Sequence, residues 1–154
     1  MDISQLLKPD RVICLSEISS KKRTLEELSQ LLGLGAVDLD PADIFNRLIE
    51  RERLGSTGLG HGVALPHARI GNNDKTIGAF IKLDQGVDFD SPDQQRADLL
   101  FALLVPENHT DEHLKILAGL AGMFSDTEFC GELRACIDSD QLFRKISAYQ
   151  NGRE

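Results

Sequence analysis

The sequence predicts an α/β fold, a mixed β-sheet of about five strands flanked by helices. Three observations carry that expectation. Leu99-Leu100-Phe101-Ala102-Leu103-Leu104-Val105 is a continuous apolar run of strand length, typical of a central strand covered on both faces. Ile77, Ala79, Ile81 and Leu83 alternate with Gly78, Phe80 and Lys82, the period of a half-buried strand. Between and around these runs lie longer stretches whose apolar residues recur at helical spacing. A chain of 154 residues can bury a real core, and residues 1–154 are read as a single domain.

Residues 1–8 read as a short amphipathic turn closed by Pro9, and residues 11–15 as a short strand. Ser19 or Ser20 caps a helix over about 21–32, with Leu25, Leu28, Leu31 and Leu32 on one face and Gly33 at its end. A second helix has sharper signals. Asp40 is a good N-cap, Pro41 suits the first helical position and Asp43 complements the dipole. Its stripe is Ile44, Phe45, Leu48 and Ile49, with Arg51 at the stripe's edge, and Gly55 ends it. Residues 55–62 hold four glycines in eight positions, which allow close backbone approach and amides turned toward an anion. Residues 63–65 form a short strand. Leu65 is pushed extended by the following Pro66, which brings no N–H to a ladder, so pairing is expected to stop there and leave His67 at a strand end. Gly71-Asn72-Asn73-Asp74 and Ser91-Pro92-Asp93 are turn chemistry. Residues 87–90 add a short edge strand, and Pro106 stops the central one. Asn108 or Thr110 caps a helix over about 111–124, and two shorter helical patterns follow near 127–137 and 140–149.

Composition narrows the function. The formal net charge of −8 disfavours nucleic acid or an anionic membrane as the main partner and suits a basic protein partner. No apolar run approaches the length of a membrane span, and no secretory h-region opens the chain, so direct membrane insertion is not expected and the protein is expected in the cytoplasm. Cys14, Cys130 and Cys136 are odd in number and form no C-x-x-C; they read as reduced thiols that serve as small apolar residues.

The chemistry-bearing candidates are two histidines and an arginine. His67 stands just past a strand and a proline. His113 shares a helix face with Leu117, Leu120 and Phe124, in the first turn of a helix that follows the central strand. A helix N-terminus stabilises anions and disfavours a charged imidazole, so a neutral His113 can donate one N–H to a phosphate oxygen. Ligands of open α/β sheets bind beyond strand ends, which brings His67 and His113 to one rim. In this reading neutral His67 attacks phosphorus, His113 orients the group, and Arg51 offers a planar, permanently charged donor. Ser56, Thr57 and loop amides offer further hydrogen bonds. Phosphoryl transfer needs mainly positioning and charge stabilisation, so neither a metal nor a cofactor is required. Each residue has a plainer reading beside this one. His113 can be satisfied by a backbone carbonyl, Arg51 can complement the C-terminal dipole of its helix, and Ser56 and Thr57 can be turn residues. His61 and His109 read as exposed loop residues. The glycine loop fits neither G-x-x-x-x-G-K-[ST] nor G-x-G-x-x-G.

Taken together, Arg51-Glu52-Arg53-Leu54-Gly55-Ser56-Thr57-Gly58-Leu59-Gly60-His61-Gly62-Val63-Ala64-Leu65-Pro66-His67-Ala68 resembles the signature of mannitol/fructose-type enzyme IIA domains of the phosphoenolpyruvate-dependent phosphotransferase system. Its opening and the later Asp98-Leu99-Leu100-Phe101-Ala102-Leu103-Leu104-Val105-Pro106 resemble the nitrogen-regulatory branch in particular. The resemblance covers nearly the whole chain. It implies that His67 is the phosphorylated histidine, His113 the second active-site histidine and Arg51 the active-site arginine, within a mixed sheet flanked by helices. Mannitol-specific relatives carry an acidic residue where His61 stands, so that role does not transfer. The implied donor is an HPr-like histidine phosphocarrier of the NPr type, and the implied targets are sensor kinases or potassium transport proteins bound according to phosphorylation state. A sugar-specific IIA that passes phosphate to a separate permease IIB is the alternative.

Two readings of other classes are weaker. The two N-terminal helices loosely resemble a helix-turn-helix, but residues 1–54 carry 8 basic against 10 acidic residues, which lacks the positive footprint of a DNA-binding module. His109-x-x-x-His113 places two imidazoles at metal-ligand spacing, with no third ligand in view.

Overall fold

The computed structural model describes residues 2–16, 18–71, 75–108 and 110–149. The chain opens with helix α1 (Ile3–Leu6), a 3-10 turn (Pro9–Arg11) and strand β1 (Val12–Leu15), followed by helices α2 (Lys21–Gly35) and α3 (Pro41–Arg53). Strands β2 (Gly58–Gly60), β3 (Val63–Ala64), β4 (His67–Ile70), β5 (Ile77–Val87) and β6 (Ala97–Pro106) come next, then helices α4 (Thr110–Ser125), α5 (Thr127–Arg134) and α6 (Ser139–Ser147). The caps follow from side-chain chemistry. The Ser20 hydroxyl accepts from Arg23 N–H, and the Asp40, Asp126 and Asp138 carboxylates accept from Ala42, Phe129 and Gln141 N–H.

The strands form one mixed sheet in the order β1-β5-β6-β3-β2, with β4 also paired to β6. Strand β6 is its centre, antiparallel to β5 and parallel to β3 and β4. Its alternation sorts the core into two layers. Leu99, Phe101, Leu103 and Val105 pack with residues of α1, α4, α5 and α6. Leu100, Ala102 and Leu104 pack with residues of α2 and α3. Each fully buried side chain of this size contributes about 1.5–3 kcal/mol, so β6 alone supplies much of the apolar driving force. No helix among the described residues is long and apolar enough to cross a membrane.

The structure departs from the sequence expectations in particular places. Helix α2 runs through Gly33 to Gly35; a Cβ at Gly33 would lie 3.1 Å from Pro41 Cγ, so this glycine serves the approach of α3 and not the end of α2. Strand β5 is buried on both faces over its first seven residues and extends to Val87, so residues 87–90 form no separate strand. Its second face is covered because Phe80 packs on Phe101 and Phe124, and because the buried Lys82 ammonium donates to the Cys136 carbonyl. The glycine stretch contains β2, a sixth strand. Pairing does not stop at Pro66: Val63 faces Leu99, Ala64 faces Leu100 and His67 faces Leu103 in one unshifted register. Pro66 only skips its own donation, while its carbonyl still accepts from Leu103 N–H at 2.9 Å. His67 therefore opens a strand. The predicted turn over residues 71–74 falls mostly outside the described residues, since Asn72, Asn73 and Asp74 are not among them.

Candidate functional site

The geometry of His67 begins with Leu65. Held extended before proline, Leu65 donates its N–H to the Thr57 carbonyl at 3.0 Å. Its own carbonyl meets His67 Nδ1 at 2.8 Å. A carbonyl only accepts, so Nδ1 carries the proton and donates, which leaves the Nε2 lone pair free. Burial is the largest influence on this ring and pushes its pKa below the ordinary 6.5; the Leu65 contact opposes, while the Arg51 cation adds to the depression. His67 is thus a neutral imidazole with a defined tautomer and an available nitrogen.

His113 sits in the first turn of α4, just past the carboxyl end of β6, and is only 6% exposed. Its ring centroid lies 5.3 Å from that of His67, with the planes at 79°. Neither Nδ1 nor Nε2 of His113 has a hydrogen-bond partner among the described residues. The plainer reading, a histidine satisfied by a backbone carbonyl, is therefore not what the structure contains. Burial again lowers the pKa, helped by His67, Arg69 and Arg51, so the ring stays neutral near pH 7. A buried imidazole with both nitrogens idle costs stability, and such a group calls for an explanation in function.

Both rings line one cavity of about 390 Å³, together with Arg47, Glu50, Arg51, Leu54, Ala68 and Arg69. Three guanidiniums face one carboxylate there, on a chain whose net charge is −8. The local field favours an anion. Arg51, in the last turn of α3, donates from Nη1 to the Gly55 carbonyl at 2.8 Å, which fixes its orientation and leaves other N–H groups of its fork unassigned by that contact. Arg47 donates from Nη1 to the Arg69 carbonyl at 3.2 Å, holding α3 against β4.

Of the residues singled out in the sequence, His67, His113 and Arg51 come together around this cavity, and Ser56 and Thr57 are not among its lining groups. Their hydroxyls are committed elsewhere. Ser56 donates to the Phe89 carbonyl at 2.6 Å and accepts from Gly58 N–H at 3.0 Å. The Thr57 hydroxyl and N–H both donate to the Glu52 carboxylate, which is also paired with Lys21 at 3.0 Å. The loop amides expected to face an anion are likewise used within the fold, Thr57 by Glu52, Gly58 by Ser56 and His61 by Asp93. The plain turn reading fits these residues better than a phosphate contact. His61 is exposed in the β2–β3 turn, as expected of a loop residue. The pairing of His109 with His113 as metal ligands lies outside the described residues, because His109 is not among them. Sequence reasoning passed over Arg47, Arg69 and the Leu65 carbonyl. Arg69 was within reach, since it follows His67 by two on a strand and so shares its face.

Comparison with known proteins gives a consistent neighbourhood. The family model described as "Phosphoenolpyruvate-dependent sugar phosphotransferase system, EIIA 2" matches residues 5–149. A protein named "Nitrogen regulatory protein" from Pseudomonas aeruginosa is 39% identical over 151 residues, covering 98% of each chain. A protein named "PTS system fructose-specific EIIA component" from Haloferax volcanii is 35% identical over 79% of this chain and 80% of its own length. Among solved structures, the nitrogen regulatory protein IIA-Ntr from Neisseria meningitidis superposes with a TM-score of 0.86 at 41% identity, over 94% of this chain and 98% of that one.

Proposed function

The chain belongs to the phosphoenolpyruvate-dependent sugar phosphotransferase system EIIA 2 family, and from that premise we propose that His67 is its phosphoryl acceptor in a nitrogen-related branch. The donor is an HPr-like histidine phosphocarrier of the NPr type. The observation that carries the reading is the Leu65 carbonyl against His67 Nδ1, which leaves Nε2 as the nucleophile. Neutral Nε2 attacks the carrier's phosphorus as the carrier's N–P bond breaks, and the departing imidazole keeps the bonding pair. His113 donates an N–H to a phosphoryl oxygen, and Arg51 neutralises developing charge from the α3 side. One of the two buried His113 nitrogens then acquires a partner in the phosphorylated state.

A phosphoryl group adds about −1.5 to −2 charges at neutral pH, on a rim lined by arginines. Occupation of the cavity thereby changes which protein surface fits it, and target proteins such as sensor kinases or potassium transport proteins are read out through that change. The sugar-specific alternative is favoured by one observation, the fructose-specific relative at 35% identity. Transfer of label from this chain to a sugar, through a separate permease in reconstituted membranes, would select it.

The test of the proposal is incubation with phosphoenolpyruvate, enzyme I and the phosphocarrier. One acid-labile phosphoryl group per chain is expected, and none in His67→Ala. Labelling that persists in that variant would remove His67 from the mechanism.

A further inference from the structure

We infer that Arg69 is a second phosphate-binding guanidinium of this site, reaching the phosphoryl group from β4 while Arg51 reaches it from α3. The inference rests on the reading of His67 as the phosphoryl acceptor. It starts from strand geometry: Arg69 follows His67 by two residues in β4, so both side chains leave the same face of the sheet. Both line the same cavity.

The three arginines of that cavity differ in their freedom. Arg47 is tied to the Arg69 carbonyl and Arg51 to the Gly55 carbonyl. The Arg69 side chain is exposed, and its guanidinium makes no hydrogen bond or ion pair to a described residue. It is the arginine left without an anchor, directly beside the nucleophile. Ala68 and Ile70 of β4 pack in the layer of α2 and α3, so His67 and Arg69 leave the opposite face of the strand, while Arg51 stands on α3. The second pointer to a ligand is His113 itself, 6% exposed, lining the cavity and bonded at neither nitrogen among the described residues.

A phosphoryl group bound through Nε2 presents three oxygens and needs donors from more than one direction. Arg51 approaches from α3 and His113 from α4, and Arg69 supplies the third approach along β4. The planar fork suits two oxygens of one phosphate, and an unanchored arm can open to release a group that must be passed on.

The experiment uses the whole chain with inorganic phosphate as the probe, following the His113 ring signals by NMR in wild type, Arg69→Gln and Arg69→Lys. Arg69→Gln should weaken phosphate binding about tenfold or more, the usual loss for a charge-assisted contact. Arg69→Lys should fall between, because it keeps the charge and loses the fork. The same series gives a readout that a packing role would not move. With the cation gone and His67, Arg51 and Glu50 still facing the cavity, His113 should titrate at a higher pH in Arg69→Gln. The phosphorylated form of that variant should also lose its phosphoryl group faster than wild type. Unchanged phosphate affinity in Arg69→Gln overturns the inference, as does a wild-type chain whose His113 does not respond to phosphate. A wild-type chain that accepts no phosphoryl group from the carrier fails the proposed function instead, and the two failures are read from separate samples.

Discussion

Arg51 and Glu52 are neighbours in the last turn of α3, yet they serve two regions with opposite rules. Glu52 is 5% exposed at its side chain, and its carboxylate is saturated by Lys21 and by the hydroxyl and N–H of Thr57. Lys21 in turn reaches Asp90 and lies 4.5 Å over the Phe89 ring, whose carbonyl takes the Ser56 hydroxyl. Every step of that network pairs a donor with an acceptor, and it joins α2, α3 and the glycine stretch. One residue earlier the chain faces a cavity where, among the described residues, the His113 ring has no hydrogen-bond partner and the Arg69 guanidinium no anchor. The saturated network holds the backbone still, and the unsaturated pocket beside it keeps its donors for something that arrives later.

The largest effect is expected from Glu52→Ala, in the saturated network. It leaves Lys21 with Asp90 as its remaining carboxylate and removes the acceptor of the Thr57 hydroxyl and N–H, and a loss of about 1–3 kcal/mol in urea unfolding is expected, the cost of buried donors left unsatisfied. A loss under about 1 kcal/mol would make the two regions alike. His113→Ala probes the other region. It deletes two unpartnered nitrogens, so stability should stay within about 1 kcal/mol of wild type. Phosphoryl acceptance should fall by about ten- to a hundredfold in single-turnover labelling, the size of one charge-assisted contact. A large stability loss with unimpaired transfer would reduce His113 to packing.

Ser56→Ala assigns a disputed hydroxyl to one region. Its contacts place it in the saturated network, so stability should drop by about 1 kcal/mol with acceptance kept. Slowed acceptance at unchanged stability would return it to the phosphoryl site. The smallest expected effect is in pH. Both histidines have folded pKa values below the ordinary 6.5. Neutral His67 therefore persists in the native state below pH 6.5, and acceptance should stay flat through that pH and decline only further down. Stability runs the same way: the unfolded chain binds protons that the native chain refuses, so stability is whole above 6.5 and falls as the pH drops from there through the folded values. Acceptance that halves near 6.5 would mean an unperturbed ring.

Much of this was legible in the sequence, and the reasons are specific. The run from Leu99 to Val105 reads as a central strand because both faces are apolar, and β6 is that strand. Asp40 and Pro41 mark the start of α3 through local chemistry that no distant contact overrides. His113 was legible from helical spacing, and it lies beside His67. What escaped depends on partners far along the chain. The second face of β5 looked open, since Gly78 and Lys82 are covered by residues met only after folding: a Cβ at Gly78 would lie 3.0 Å from Phe101 Cε1. The glycine stretch looked like an anion cradle because glycine density says nothing about where amides point. In the fold its amides turn to Glu52, Ser56 and Asp93. Three consecutive residues with positive φ, Gly60, His61 and Gly62, bend it back onto β3. Gly62 takes a φ of 82°, in the left-handed region that favours glycine, and a Cβ there would also meet the tip of the Arg134 side chain.

The central claim is that the backbone chooses which nitrogen reacts: the Leu65 carbonyl holds the proton on Nδ1 of His67 and leaves Nε2 to phosphorus. Long-range ¹H–¹⁵N NMR of the phosphorylated chain, with imidazole nitrogens labelled, reads this directly through the phosphorus coupling. The account predicts the N–P bond at Nε2 of His67, with Nδ1 still protonated. Phosphorus on Nδ1 of that ring, or on His113, would contradict it.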